Sequence, residues 1–279
     1  MQYLNGDDGY CGECTIQVLM LKYGVWLPQQ YVRLAATGSP KGAVLVETGS
    51  YPTAMRNMKI NAVQFQGSGY QAYMAWIKSW LVRGVGVAMV WNFKDSDNTD
   101  GTYDHITPVT GIITRTPSAG YDPNDTLIVH THFTRNLVQK RVGNYTCPAG
   151  GRGSWPGSAL LDNGGCVPRS SLRGWAWAFL GPTYLGIGPR VELLVPKPSE
   201  PGVGRSETLQ ATVIVRGLTP GRTCRVYQFT DPKQVPPAPS SRIPAAVAPW
   251  KTFVATSAEA RLGVSFPSNV PRYFIAVQA

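Results

Sequence analysis

The chain has 279 residues, a formal net charge of +10 and only 15% charged residues, with 30 Gly and 23 Pro. That length accommodates two domains or one large one, the composition favours strands and loops over long helices, and the lack of any run of 18 or more apolar residues excludes a spanning helix. The basic residues are scattered, with no run of five or six and no recognisable nucleic-acid module, so the charge points away from nucleic acid and towards general affinity for acidic surfaces such as anionic polysaccharide, with an ordinary solvated basic surface as the plainer reading.

The stretch from Asn5 to Tyr23, NGDDGYCGECTIQVLMLKY, sets a cysteine immediately before an amphipathic pattern. Ile16, Val18, Leu19, Met20 and Tyr23 recur at near-helical spacing, and Gly12 and Glu13 suit a first turn. Cys11 is therefore predicted at a helix N-terminus, where the macrodipole favours a thiolate over a thiol. A thiolate in reach of a histidine is the core of a nucleophilic site; a cysteine packed as a small hydrophobe is the competing reading. Gly24 ends this helix, and Pro28 opens a second, PQQYVRLAAT. Pro52 starts a third, TAMRNMKI, followed by a strand-like NAVQFQ. Tyr73, Trp76, Ile77, Trp80 and Leu81 mark a further helix over Tyr70 to Val82, closed by Gly84.

GVAMVWNF reads as a strand, DSDNTDGTYD as an exposed polar loop, and His105 to Thr114 as the next strand. The loop's Asp95, Asp97, Asp100 and Asp104 suggest calcium, but the EF-hand ligand order and its closing Glu are missing, so a solvated loop is the expectation. Leu127 to Phe133 is another strand, and Trp175 to Leu180 an aromatic one. Cys147 and Cys166 flank a Gly-rich loop and are placed to close it as a disulfide, a gain of about 3 kcal/mol in the chain-entropy model. With the sequons at Asn124 and Asn144, this leans towards a secreted protein, although no signal peptide is visible at the start. From residue 187 on, helical patterns stop. VELLVP, TLQATVIVRG, TCRVYQF, KTFVAT, ARLGVSF and RYFIAVQ alternate with Pro/Gly turns, the spacing of an all-β sandwich in which Cys224 is core.

The run GYCGEC, a helix ending in YG and then LPQQYVR together resemble the C39-like branch of the papain-like cysteine peptidases. KSWLVRGVGVAMVWNF, a polar loop and YDHITPVTGI are similar to the helix and strand that precede that family's catalytic histidine, and CVPRSSLRGWAWAFLGP looks like its closing strand. The resemblance implies a papain-like (C39-like) cysteine hydrolase domain over residues 1–186, and with the all-β sandwich that the strand spacing gives for residues 187–279 the expected fold is α+β. In the sandwich, GLTPGRTCRVYQF looks like part of a fibronectin-III-like module. It gives Cys11 the nucleophile's place and His105 the general base's. Asn5 stands where the family has an oxyanion-hole Gln, one methylene shorter but still an N–H donor. The family's third, orienting residue is an Asn or Asp at the end of the next strand; TLIVHTHF offers neither, and Thr131 is nearest by position. The implied chemistry is acyl transfer on a peptide or amide substrate, by hydrolysis or transpeptidation, through an acyl-enzyme and with no cofactor.

Three rivals share these residues. CGEC is also a Cys-x-x-Cys at a helix start, the arrangement of thiol–disulfide oxidoreductases, but those motifs follow a buried strand and NGDDGY reads as none; Cys14 either packs inside the helix or pairs with Cys11. His130 and His132 share one face of a strand and form a partial zinc set with His105 or a cysteine. A non-catalytic C39-like peptide- or surface-binding protein would keep the fold without needing Cys11.

Overall fold

The computed structural model describes residues 4–5, 8–39, 44, 49–91, 105–118, 120–130, 137–144, 146, 166–167, 172–183, 188–195, 207–236, 243 and 246–278. In chain order the first half comprises β1 (Leu4–Asn5), β2 (Asp8–Gly9), α1 (Cys11–Leu21), β3 (Val25–Trp26), α2 (Gln29–Thr37), α3 (Ser50–Asn57), β4 (Ile60–Gln64) and α4 (Tyr70–Leu81). It continues with β5 (Val87–Trp91), β6 (His105–Ile113), β7 (Thr126–His130), β8 (Leu137–Arg141) and β9 (Ala176–Pro182). The remaining strands are β10 (Arg190–Leu194), β11 (Thr208–Arg216), β12 (Thr223–Phe229), β13 (Lys251–Val254), β14 (Glu259–Pro267) and β15 (Arg272–Gln278). The fold is mixed α+β, with several helices and several sheets. Among the described residues no helix is long and apolar enough to cross a membrane.

The chain divides into two compact units. The first takes residues Met1–Leu19, Ala43–Tyr51 and Ala62–Leu180; the second takes Met20–Gly42, Pro52–Asn61 and Gly181–Ala279. The division near residue 180 lies close to the composition change in the sequence, but two N-terminal segments join the C-terminal unit.

A six-stranded sheet in the order β4-β9-β5-β6-β7-β8 runs through the first unit. β5 and β6 are antiparallel, with Trp91 opposite His105 and Val87 opposite Val109. β6 and β7 shift register between Val109 and Gly111, a bulge that re-aims the following residues. The central strands are apolar on both faces: Val87, Ala88, Met89, Val90, Ile106 and Val109 are all fully buried, as expected of a sheet covered on both sides. From α4, Tyr73 donates from its hydroxyl to the Trp175 carbonyl at 3.0 Å and stacks edge-on against Phe65. α1 is buried nearly all round, including Glu13, Thr15 and Gln17, and so differs from the amphipathic helix with one apolar stripe that its spacing predicts. The stretch NGDDGY, read as no strand, carries the ends of the β1–β2 pair, with Asn5 opposite Asp8; a two-residue ladder is too short to leave an alternation signal.

The second unit holds a three-stranded sheet, β10-β11-β14, and a four-stranded one, β13-β12-β15-β3. β11 and β14 pair over nine residues, from Thr208 opposite Pro267 to Arg216 opposite Glu259. Inward residues of both sheets make one buried cluster that includes Val191, Val213, Val226, Phe266, Phe274 and the wholly buried thiol of Cys224. Trp26 enters this cluster from β3, near the N-terminus, and its indole N–H donates to the Ser268 carbonyl at 2.9 Å. These sheets are therefore not built from residues 187–279 alone. Gly24 makes the entry possible: its φ is +70°, and a Cβ there would lie 2.6 Å from Val191.

Candidate active site

α1 begins at Cys11, directly after the β1–β2 pair. Its first turn is held by backbone and by one tyrosine. The Cys14 N–H donates to the Tyr10 carbonyl at 2.9 Å, and the Tyr51 hydroxyl donates to the Gly12 carbonyl at 3.3 Å. Tyr51 is itself fixed against Trp177 and Phe179 of β9, with ring centroids 5.9 and 6.4 Å away. Thr15, one turn along, donates from its hydroxyl to the Ile106 carbonyl at 3.3 Å. Gly12 is required by this approach, since a Cβ would lie 2.3 Å from the Val44 carbonyl oxygen and 3.2 Å from the Ile106 side chain.

The start of α1 thus lies on the start of β6. The Cys11 sulfur takes hydrogen bonds from the backbone N–H groups of Ile106 and Gly12, and Ile106 directly follows His105 in the strand. His105 is buried, 7% exposed, at the first position of β6. The structure therefore brings Cys11 to the backbone next to His105.

The electrostatics run against the thiolate that a helix N-terminus favours. Burial pushes the Cys11 thiol up to about 12, outweighing the two N–H contacts, and the nearby Glu13 adds in the same direction. Burial likewise lowers His105 to about 3. Both shifts oppose an ion pair, so a neutral thiol and a neutral imidazole are the stable forms across the range between those values. Cys14 is 1% exposed and is pushed up to about 11, chiefly by burial. A redox Cys-x-x-Cys works through a depressed pKa; here both cysteines shift the other way, and both are thiols, not a disulfide.

The other expected residues divide between described and undescribed positions. Asn5 lies in β1, opposite Asp8 and six positions before Cys11. Thr131 and His132 lie outside the described residues, as do Asp95, Asp97, Asp100, Asp104 and Cys147. His130 ends β7; its carbonyl accepts from the Thr107 hydroxyl at 3.0 Å, and its buried Nδ1 has no hydrogen-bond partner among the described residues. Cys166 is disulfide-bonded. Among the described residues, no group of three or more His, Cys, Asp and Glu is arranged to hold a metal ion. Sequence reasoning missed Gly12, Thr15 and Tyr51 as the residues that seat the helix start. Gly12 stands inside the motif itself, while nothing in the sequence ties Tyr51 to Gly12.

No family model matches the chain, and no curated protein or solved structure matches it either.

Proposed function

We propose that the chain is a cysteine hydrolase of peptide or amide bonds, with Cys11 as nucleophile and His105 as general base. The observation that carries this reading is the seating of the Cys11 sulfur on the Ile106 N–H, at the residue after His105. The resemblance of GYCGEC and YDHITPVTGI to the C39-like papain-like peptidases agrees with it in order and in context. The upward shift of Cys11 and the downward shift of His105 choose between two forms of the mechanism. A standing thiolate–imidazolium pair is disfavoured. Proton transfer from sulfur to the neutral imidazole, in step with attack on the carbonyl, fits both shifts. The Cys11 backbone N–H and the Asn5 amide would then hold the oxyanion, and water would release the acyl group. In the finer fold reading, the first unit corresponds to a C39-like catalytic domain and the sheets of the second to a β-sandwich.

A second reading has an observation of its own: a half-buried thiol raised in pKa and a buried neutral imidazole also suit a C39-like module that binds a peptide or surface without turnover. The two are separated by treating the full chain with iodoacetamide and with a panel of peptidyl acyloxymethyl ketones, followed by peptide mapping. The hydrolase reading expects slow iodoacetamide labelling of Cys11 at neutral pH but rapid labelling by at least one ketone, lost in His105→Ala. Equal sluggishness to every ketone, or preferential labelling of Cys14, rules in favour of the binding reading.

A further inference from the structure

We propose that the second unit carries a separate binding site for an acidic glycan segment, in an open cavity of about 660 Å3 lined by α2, the turn after α3, the 230–233 segment and Pro271. That volume suits a ligand of a few rings. Tyr31, half-buried, and Leu34, 49% exposed, give it an apolar wall. Three cations reach it from two segments far apart in sequence, Arg56 and Lys59 from the end of α3 and Lys233 from the 230–233 segment, so no basic run marks the site.

All three cations are exposed, and none is in an ion pair among the described residues, whose pairs involve other side chains. Among the described residues, Arg56 donates to the Thr53 hydroxyl alone, at 3.3 Å. Convergent cations without carboxylate partners repel one another, and an anionic ligand relieves that repulsion.

The backbone adds an independent observation. Among the described residues, Lys59 alone of the non-glycines has a positive φ, +57°. It follows the end of α3, where its N–H donates to the Arg56 carbonyl at 3.3 Å. Helices commonly end on a left-handed residue, and glycine is the usual one. A lysine there carries conformational strain, and that strained turn sets the cation on the cavity.

The remaining polar groups select the kind of anion. Asp231 is the single carboxylate on the lining. One of its oxygens accepts from the Lys233 backbone N–H at 2.8 Å, which leaves the other able to accept from a ligand hydroxyl. A polyphosphate brings no hydroxyl donor and meets that carboxylate with repulsion. A uronate-containing glycan supplies carboxylates for the cations, hydroxyls for Asp231 and a ring face for Tyr31. The site shares no residue with Cys11 or His105, so it stands or falls independently of the hydrolase reading.

The test is calorimetric titration of the full chain, at low and at 0.5 M salt, with three probes: tetragalacturonate, its methyl ester and tripolyphosphate. Tetragalacturonate is expected to bind, to weaken in high salt, and to bind at least tenfold tighter than the ester. Lys59→Gly separates side chain from backbone: it relieves the positive φ, so thermal stability holds or rises, while affinity falls at least threefold. Lys233→Glu is expected to weaken binding at least tenfold, Asp231→Asn to weaken tetragalacturonate while tightening tripolyphosphate, and Cys11→Ala to change nothing. No heat with tetragalacturonate, tighter binding of tripolyphosphate (an anion site only), or unchanged affinity in both Lys59→Gly and Lys233→Glu overturns the proposal.

Discussion

The Cys11 sulfur accepts the backbone N–H of Ile106, so the first residue of α1 rests on the strand that His105 opens. This contact depends on Gly12. A methyl group there meets the Val44 carbonyl oxygen at 2.3 Å and the Ile106 side chain at 3.2 Å. The first is backbone and cannot swing away. Gly12→Ala is expected to cost about 1–3 kcal/mol by overpacking, read as a lower urea midpoint with an unchanged slope. It is also expected to reduce Cys11 labelling by any acylating probe more than its loss of stability explains.

Lys78 and Asp125 form a second close pair, 2.8 Å apart, with side chains only 2% and 3% exposed. Lys78 also donates to the Thr116 hydroxyl at 3.1 Å, tying α4 to the turn before β7. Removing one member leaves the other charge buried and uncompensated, which costs about 3–5 kcal/mol. Lys78→Met is therefore expected to be severely destabilised in urea unfolding. Lys78→Met combined with Asp125→Leu is expected to recover most of that loss, because an apolar pair of similar volume carries no desolvation penalty.

Burial of His105 has a consequence for acid stability. Its pKa falls from 6.5 to about 3 on folding. Below pH 6.5 the unfolded chain takes up a proton that the folded chain refuses. The contribution of His105 is therefore complete above pH 6.5 and is lost progressively as the pH falls towards 3, by about 1.4 kcal/mol per pH unit. His130, also lowered by burial, acts in the same direction. Urea unfolding at pH 7, 6, 5 and 4 should show a shallower pH dependence in His105→Gln than in wild type, by about one proton. Parallel curves would mean that His105 is not buried as a neutral base.

The legible part of the fold was the part with strong local signals. Aromatic residues at helical spacing marked α4, found at Tyr70–Leu81, and the Pro/Gly-punctuated runs marked the strands from β10 to β15. β8 left no usable signal because its polarity is inverted: Leu137 is 63% exposed while Lys140 is buried. β3 is two residues long and is specified by its partner, with Trp26 opposite Arg272 far along the chain. α3 begins at Ser50, two residues before the proline expected to start it. At the site, the position of Cys11 at a helix start was legible because the cysteine, glycine and glutamate are contiguous. Its electrostatics were not. The macrodipole argument is local, whereas the burial that overrides it is a product of tertiary packing that the sequence does not display, and it outweighs even the Ile106 N–H that the fold brings to the sulfur.

The central claim is that Cys11 forms an acyl-enzyme with proton transfer to His105. The most direct test is intact-protein and peptide mass spectrometry after brief exposure of the full chain to a panel of p-nitrophenyl esters of N-acylated amino acids at pH 8. Wild type is expected to show an acyl adduct on Cys11 that decays with release of free acid. His105→Ala is expected to form it about 10²–10⁴-fold more slowly, Asn5→Ala about 10²–10³-fold more slowly, and Cys14→Ser at the wild-type rate. An adduct on Cys14, or acylation of Cys11 at an undiminished rate in His105→Ala, would contradict the claim.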